Sequence, residues 1–249
     1  MKIKGFEQLY AEENTWLNRG RKELVTEIIW REIRGPGKDM LDVGAGSGFY
    51  VPALSSYGTV DAVEVCEPAL PALRRRAGLR NLYTESMPFP LEQRYDYVQC
   101  LDVLGAIEDD RQAMAWLCSL LKPGGPLFVT VPAYQWLFSF HDVAVNHFRR
   151  YSRTSLIDLV PAGFSVLQSG YFNTLLFPFA VATRLLAGTL RRLKSGSAED
   201  VKQSSQLPPS VDCLFGGIIA REAARIIAGA EPAFGLTAFC LIKRPNDTR

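Results

Sequence analysis

Histidine and paired cysteine are what this 249-residue chain has least of. It has two histidines, His141 and His147, and five cysteines, none in a CxxC pair. Cys66, Cys100, Cys118, Cys213 and Cys240 are odd in number, and several lie inside apolar runs. That pattern fits reduced thiols acting as small buried hydrophobes and argues against a disulfide framework. Histidine, cysteine and carboxylates nowhere fall at metal-ligand spacing, so no metal is implied. An excess of one charge is also missing. With 28 Lys and Arg against 26 Asp and Glu, the formal charge is +2, too little for a global field that would hold nucleic acid.

Long apolar runs are lacking as well. Met1 to Tyr10 has no apolar core of the signal-peptide kind. The most apolar stretch, Leu175 to Leu190, is interrupted by Arg184 and falls short of the ~20 residues that span a bilayer. These absences predict a cytoplasmic protein that does not cross a membrane. Apolar and charged fractions, 47% and 22%, are those of a globular domain.

What is present is alternation. Leu17, Leu24, Val25, Ile28 and Ile29 recur at helical spacing up to the breaker Gly35-Pro36-Gly37. Short apolar strands follow at Met40–Val43, Val60–Val65, Asn81–Tyr83, Tyr95–Cys100 and Leu127–Val131, with helices predicted between them, among them 68–76 and 110–121. Phe164–Ser169 and Ala238–Ile242 bring the strand count to seven. Alternating strands and helices imply an α/β fold, a Rossmann-like doubly wound sheet, mostly parallel, with helices on both faces. The predicted divisions are a helical cap over 1–36, a core over 37–173 and 234–244, and a helical insertion over 174–233. Its polar stretch near 193–210 reads as a mobile linker.

The chemistry concentrates after the first strand, in Asp42-Val43-Gly44-Ala45-Gly46-Ser47-Gly48. Alternate glycines permit a tight turn with no Cβ between backbone and ligand, and the following helix aims its amides at the same place. The spacing is GxGxG, whereas the dinucleotide fingerprint GxGxxG sets its third glycine one position later, where this chain has Phe49. Asp42 stands where a carboxylate can hold a cationic amine. Glu64, with Val65 beside it, ends the second strand about 20 residues on, where an acid reaches ribose hydroxyls.

On these residues the chain resembles a class I S-adenosylmethionine-dependent methyltransferase of the broad type 11 group, from about Trp16 to Phe172. The resemblance implies that the glycine turn, Ala45 included, holds the methionine part of S-adenosylmethionine and that Glu64 binds the ribose. It places Met87-Pro88-Phe89 near the adenine and Leu101 and Asp102 beneath the reacting methyl group. Leu121 to Gly125 matches the family's turn before strand five. Two departures stand out. Tyr83, with Glu85 two places later, occupies the usual place of an adenine-binding acid, and Gly105-Ala106 stands where relatives often carry Glu-His. The product would be S-adenosylhomocysteine, formed by direct displacement at the methyl carbon.

Substrate-facing residues are expected between Ala133 and Tyr151. His141, Asp142 and His147 are candidate catalytic groups, since imidazole titrates near neutrality and Asp142 can orient it; the alternative is a brace within a lid. Methyl transfer often needs proximity and orientation alone. Tyr134 and Trp136 are candidate acceptor contacts. Arg149 and Arg150 could clamp an acidic acceptor or pair with Asp158 or Glu108. Arg21 reads as a solvated helix charge, with a reach to the methionine carboxylate as its alternative.

Phe172, Phe177 and Phe179 read as core. The helix after them, with Arg184, Arg191, Arg192 and Lys194, reads as packing onto the domain or a dimer partner; contact with the inner face of a membrane is the other reading. The expected acceptor is a small or lipid-linked molecule, and monomer and homodimer both stay open. Two rival functions are an inactive cofactor-binding or scaffold protein and an NAD-dependent oxidoreductase.

Overall fold

Side-chain alternation along buried strands decides the layering. In the computed structural model, residues 16–33, 35–182 and 209–247 are described, without the side chains of 16–20, 140–141 and 209–215. The basic residues Arg184, Arg191, Arg192 and Lys194, most of the polar stretch 193–210 and the Cys213 side chain therefore lie outside the described residues.

The first element of the described residues is helix α1, Trp16–Glu32. Then come β1 (Lys38–Val43), α2 (Val51–Ser55), β2 (Gly58–Val63), α3 (Leu70–Leu73), β3 (Leu79–Tyr83) and β4 (Tyr97–Leu101). After these follow α4 (Asp110–Ser119), β5 (Pro126–Pro132), α5 (Phe140–Ala144), α6 (Arg153–Ile157) and β6 (Ser165–Phe172). A helical stretch over 176–182, α7 (Pro209–Ile227) and β7 (Thr237–Lys243) complete it.

The seven strands form one sheet in the order β3-β2-β1-β4-β5-β7-β6, all parallel except β7, which runs antiparallel between β5 and β6. This is the expected Rossmann-like sheet. All seven expected strands are present, with ends shifted by a few residues. The weak signal for β3 has a physical cause: it is an edge strand, and much of it faces solvent.

One face of the sheet packs Leu41, Val43, Val98, Cys100 and Val129 against Met114, Leu117 and Cys118 of α4. The other packs Met40, Tyr97, Phe128 and Phe239 under Leu24, Val25, Ile28 and Ile29 of α1 and Ile219, Ala223 and Ile226 of α7. Cys66, Cys100, Cys118 and Cys240 are free thiols. Arg31 ties α1 down, donating to the Ile227 carbonyl at 2.9 Å and to Gln168 Oε1 at 3.0 Å. Among the described residues, no helix is long and apolar enough to cross a membrane.

A buried carboxylate fixes the β2 edge. Asp61, fully buried, accepts two bonds from the Arg80 fork at 2.8 Å, one from the Tyr95 hydroxyl at 2.9 Å and one from the Asn81 amide at 3.1 Å. Replacing it with alanine strands the buried Tyr95 hydroxyl while the part-exposed Arg80 can turn to water, and an unmet buried donor costs about 1–3 kcal/mol. A urea titration of Asp61→Ala should show a lower midpoint with unchanged slope. A shift worth less than about 1 kcal/mol would deny the network that role.

Candidate active site

The turn between β1 and α2 is left-handed at each glycine: φ is +74° at Gly44, +57° at Gly46 and +80° at Gly48. L-residues with a Cβ resist this conformation. At Gly44 space forbids a side chain as well, because a Cβ there would lie 2.1 Å from Val103 Cγ2. The turn is thus pressed against the end of β4. At Gly46 a Cβ would meet nothing within 4 Å, so that residue borders open space. The amides of Gly44 and Ala45 donate to the Val63 carbonyl, and the Gly48 amide donates to the Ala45 carbonyl. A shallow hollow lined by Arg94, Ser119, Phe164 and Arg244 lies at the opposite, amino-terminal end of the parallel strands; it carries none of these features.

Glu64, just past β2, is buried, and both its carboxylate oxygens are engaged. Oε2 accepts from the Gly46 amide at 2.6 Å and Oε1 from the Cys66 amide at 2.7 Å. Val65 is exposed, and Met87 is buried beside the core. Tyr83 packs on Phe89 with ring centroids 5.8 Å apart, whereas the Glu85 carboxylate accepts from the Thr84 amide.

Asp42 is 2% exposed and accepts from Gln99 Nε2 at 2.9 Å, its strand-paired neighbour on β4. Its other oxygen, Oδ2, has no partner. Burial, with the Glu64 charge adding to it and the Gln99 amide opposing, pushes the Asp42 carboxyl up to about 7. On the adjacent strand, Asp102 follows β4 with φ +59°, a conformation uncommon outside glycine. Its carboxylate pairs with Arg21 Nη1 at 2.7 Å and accepts from the Thr130 hydroxyl at 3.1 Å. Arg21 Nη2 donates to that same hydroxyl at 2.7 Å, and Arg21 Nε is buried without a partner. Burial opposes the guanidinium charge, but Asp102 outweighs it and raises the pKa.

Arg21 is therefore no solvated charge: α1 carries it under cover, 18% exposed. The signal was in the spacing, because Arg21 stands four residues from Leu17 and Val25 and seven from Ile28 on the apolar stripe. Gln99 and Thr130, which sequence reasoning did not select, alternate with buried strand residues in the same way.

The segment 133–151 is internally braced. Asp142 is 1% exposed and receives both prongs of the Arg150 fork, at 2.8 and 2.9 Å, together with the Ser139 amide and hydroxyl. Burial pushes its carboxyl up, but Arg150 and Ser139 overcome that and hold it below the usual aspartate range. Arg149 pairs with Asp110 at 2.8 Å and donates to the Glu108 carbonyl, so neither arginine offers a free fork.

His147 Nε2 lies 3.1 Å from the Asp102 carbonyl oxygen, which can only accept; Nε2 therefore carries the proton in this contact. Its Nδ1 is buried without a hydrogen bond, 4.0 Å from an Asp142 already held by Arg150. The ring lies beside Gly105, whose missing side chain admits the Arg149 carbonyl: a Cβ there would lie 2.9 Å from that oxygen. That arrangement holds up the strained Asp102 backbone. The His141 side chain lies outside the described residues. Tyr134 and Trp136 sit in a ring cluster past β5, with Tyr134 stacked on Tyr171 at 5.1 Å. Phe172 is core, Phe177 joins that cluster, and Phe179 is 62% exposed and not core.

A family model for the methyltransferase domain matches residues 17–169, more than half of the chain. The chain belongs to the methyltransferase domain family. The matching model is of type 23, within the same class I S-adenosylmethionine-dependent enzymes that the type 11 resemblance indicated. The glycine spacing that separated the two nucleotide-binding readings thus falls on the methyltransferase side.

Among curated relatives, the chain is 30% identical over 109 residues to the ubiquinone biosynthesis O-methyltransferase of Coxiella burnetii, covering 41% of this chain and 47% of that protein. To the mitochondrial enzyme of the same name in Schizosaccharomyces pombe it is 25% identical over 123 residues, 46% and 45% of the two chains. The chain spans about half the length of the curated relatives it matches.

Two solved structures share the fold. The plantazolicin methyltransferase BpumL in complex with S-adenosylhomocysteine gives a TM-score of 0.59 at 10% identity, covering 96% of this chain and 89% of that one. The N-methyltransferase NodS from Bradyrhizobium japonicum gives 0.51 at 16%, covering 64% and 81%.

The glycines can be separated experimentally. Gly44→Ala combines left-handed strain with the Val103 clash and should lose about 2–4 kcal/mol. Gly46→Ala carries the strain alone, about 1–2 kcal/mol, and its methyl enters the open space beside the turn. Thermal melts should show the larger fall for Gly44→Ala; equal falls would contradict the close packing at Val103.

Proposed function

We propose that this protein transfers the methyl group of S-adenosylmethionine to a small or lipid-linked acceptor, and that the residues around the β1 turn hold the donor. When bound, S-adenosylmethionine supplies an electrophilic methyl group for a nucleophilic acceptor atom. The observation that carries the reading is a pair of unmet buried groups beside the turn: Asp42 Oδ2, an acceptor, and Arg21 Nε, a donor. Unmet buried polar groups are costly, and a zwitterionic amino-acid end answers both at once. In this reading Asp42 holds the ammonium and Arg21 the carboxylate.

Gly44, Ala45, Gly46 and Gly48 let the backbone lie against the ligand. Glu64, with Val65 next to it, turns its remaining lone pairs to the ribose hydroxyls, since a carboxylate has about four acceptor sites. Met87 lies on the adenine side, and Leu101 and Asp102 border the methyl group. The acceptor enters under residues 133–151. Orientation supplies the catalysis in this reading: among the described residues Asp142 is committed to Arg150, and the unprotonated Nδ1 of His147 is buried without a hydrogen bond.

Calorimetry with S-adenosylhomocysteine tests the donor site. Asp42 is predominantly protonated below about pH 7, and its pKa in the unfolded chain lies near 3.8. The folded protein therefore keeps a proton that the unfolded chain loses, and this group's contribution to stability fades as pH rises from about 4 to about 7. Pairing with an ammonium requires the carboxylate, so binding below pH 7 must release that proton. Affinity should rise about ten-fold per pH unit up to about 7 and then level off. A flat profile would remove Asp42 from the ammonium site. Arg21→Met should weaken binding about ten- to a hundred-fold, the worth of a charge-assisted bond. If the pure protein gives no binding heat with either donor or product, the reading fails.

A further inference from the structure

We propose that the ring cluster beyond β5 binds the acceptor, and that the acceptor is an uncharged small molecule bearing a flat aromatic ring. The proposal rests on the methyltransferase reading, which makes an acceptor necessary. The cluster consists of Tyr134, Trp136, Tyr171, Phe177 and Phe234. It stands at the carboxyl ends of β5 and β6, the same edge of the sheet as the glycine turn, on the side away from Gly44 and Glu64.

Tyr134 is held there against its own preference. Its φ of 62° and ψ of 112° are rare for a bulky residue, and such strain persists only where the surroundings impose it. The Tyr134 amide donates to the Tyr151 carbonyl at 2.8 Å, and the ring stacks on Tyr171 at 15°. Phe177 then lies 5.3 Å from Tyr134 and tilted by 53°, and Trp136 meets Phe177 at 82°. Phe234 extends the row at 5.6 Å from Phe177. Tyr171 is buried, but Trp136 is 56% and Phe234 48% exposed. The row runs from a covered base to two rings with about half their surface in water, and an exposed aromatic patch of that kind marks a place where a ligand can dock.

Charge decides the occupant. Three arginines between β5 and β6 are taken: Arg149 by Asp110, Arg150 by Asp142 and Arg153 by Glu231. No free fork remains among them for an anionic acceptor, and no free carboxylate remains in those pairs to close a cage around an ammonium. A neutral flat ring can meet one ring face-on and the next edge-on, and both contacts are favourable; an alkyl chain gains area alone.

The test titrates 2-naphthol into the full-length protein, with decan-1-ol and phenyltrimethylammonium as the alkyl and cationic probes. Trp136→Ala and Phe234→Ala change exposed rings, and Trp30→Ala, at a 68% exposed residue of α1, is the remote control. 2-Naphthol should bind the wild type and Trp30→Ala equally and the two cluster variants about ten-fold more weakly, with both other probes weaker than 2-naphthol. Equal 2-naphthol affinity in all variants overturns the site, and tighter decan-1-ol or phenyltrimethylammonium binding overturns the class. S-Adenosylhomocysteine, titrated in parallel, should bind all four proteins alike. Its failure with the wild type would sink the methyltransferase reading, while the 2-naphthol comparison would still be read separately.

Discussion

Three polar side chains, Asp42, Gln99 and Thr130, stand together on a largely apolar sheet face, and the chemistry of this protein depends on their being covered by α1. They come from three adjacent strands, β1, β4 and β5, and the two-residue period of a strand puts them on one side. Leu24, Val25 and Ile28 of α1 close over the same face. Without that cover Asp42 would be an ordinary solvated carboxylate. With it, the group is driven toward neutrality and left with an unmet oxygen.

The cover also brings its own charge. Arg21 reaches the site only because it lies on the buried stripe of α1, and it is tolerated there because Asp102 and Thr130 receive it. The Asp102 backbone is in turn strained, and His147 and the Thr130 carbonyl hold it from either side. Helix α1, the end of β4 and the segment after β5 thus meet at one residue. The unengaged buried atoms of its partners are Arg21 Nε and His147 Nδ1.

Most of the sheet was legible in the sequence, because buried parallel strands flanked by glycine and proline write a strong local pattern. The turn Gly44–Gly48 was legible for a backbone reason: alternate left-handed positions need glycine. The edge strand β3 was fainter, since its exposed residues blur the alternation. Partnerships were not legible. Arg149 and Arg150 looked equally fit to clamp a substrate or to pair internally, and only the folded chain brings Asp110 and Asp142 to them.

What the sequence determined by itself is the sheet, the turn and the family, all of which follow from residues close together in the chain. The tertiary structure decided which charges stay unpaired. Arg21 and Asp102 are far apart in sequence, as are Tyr134 and Tyr171, and their contacts exist only once the strands have ordered as β4-β5-β7-β6. Periodicity records which side of an element is buried, and it holds no record of what lies opposite.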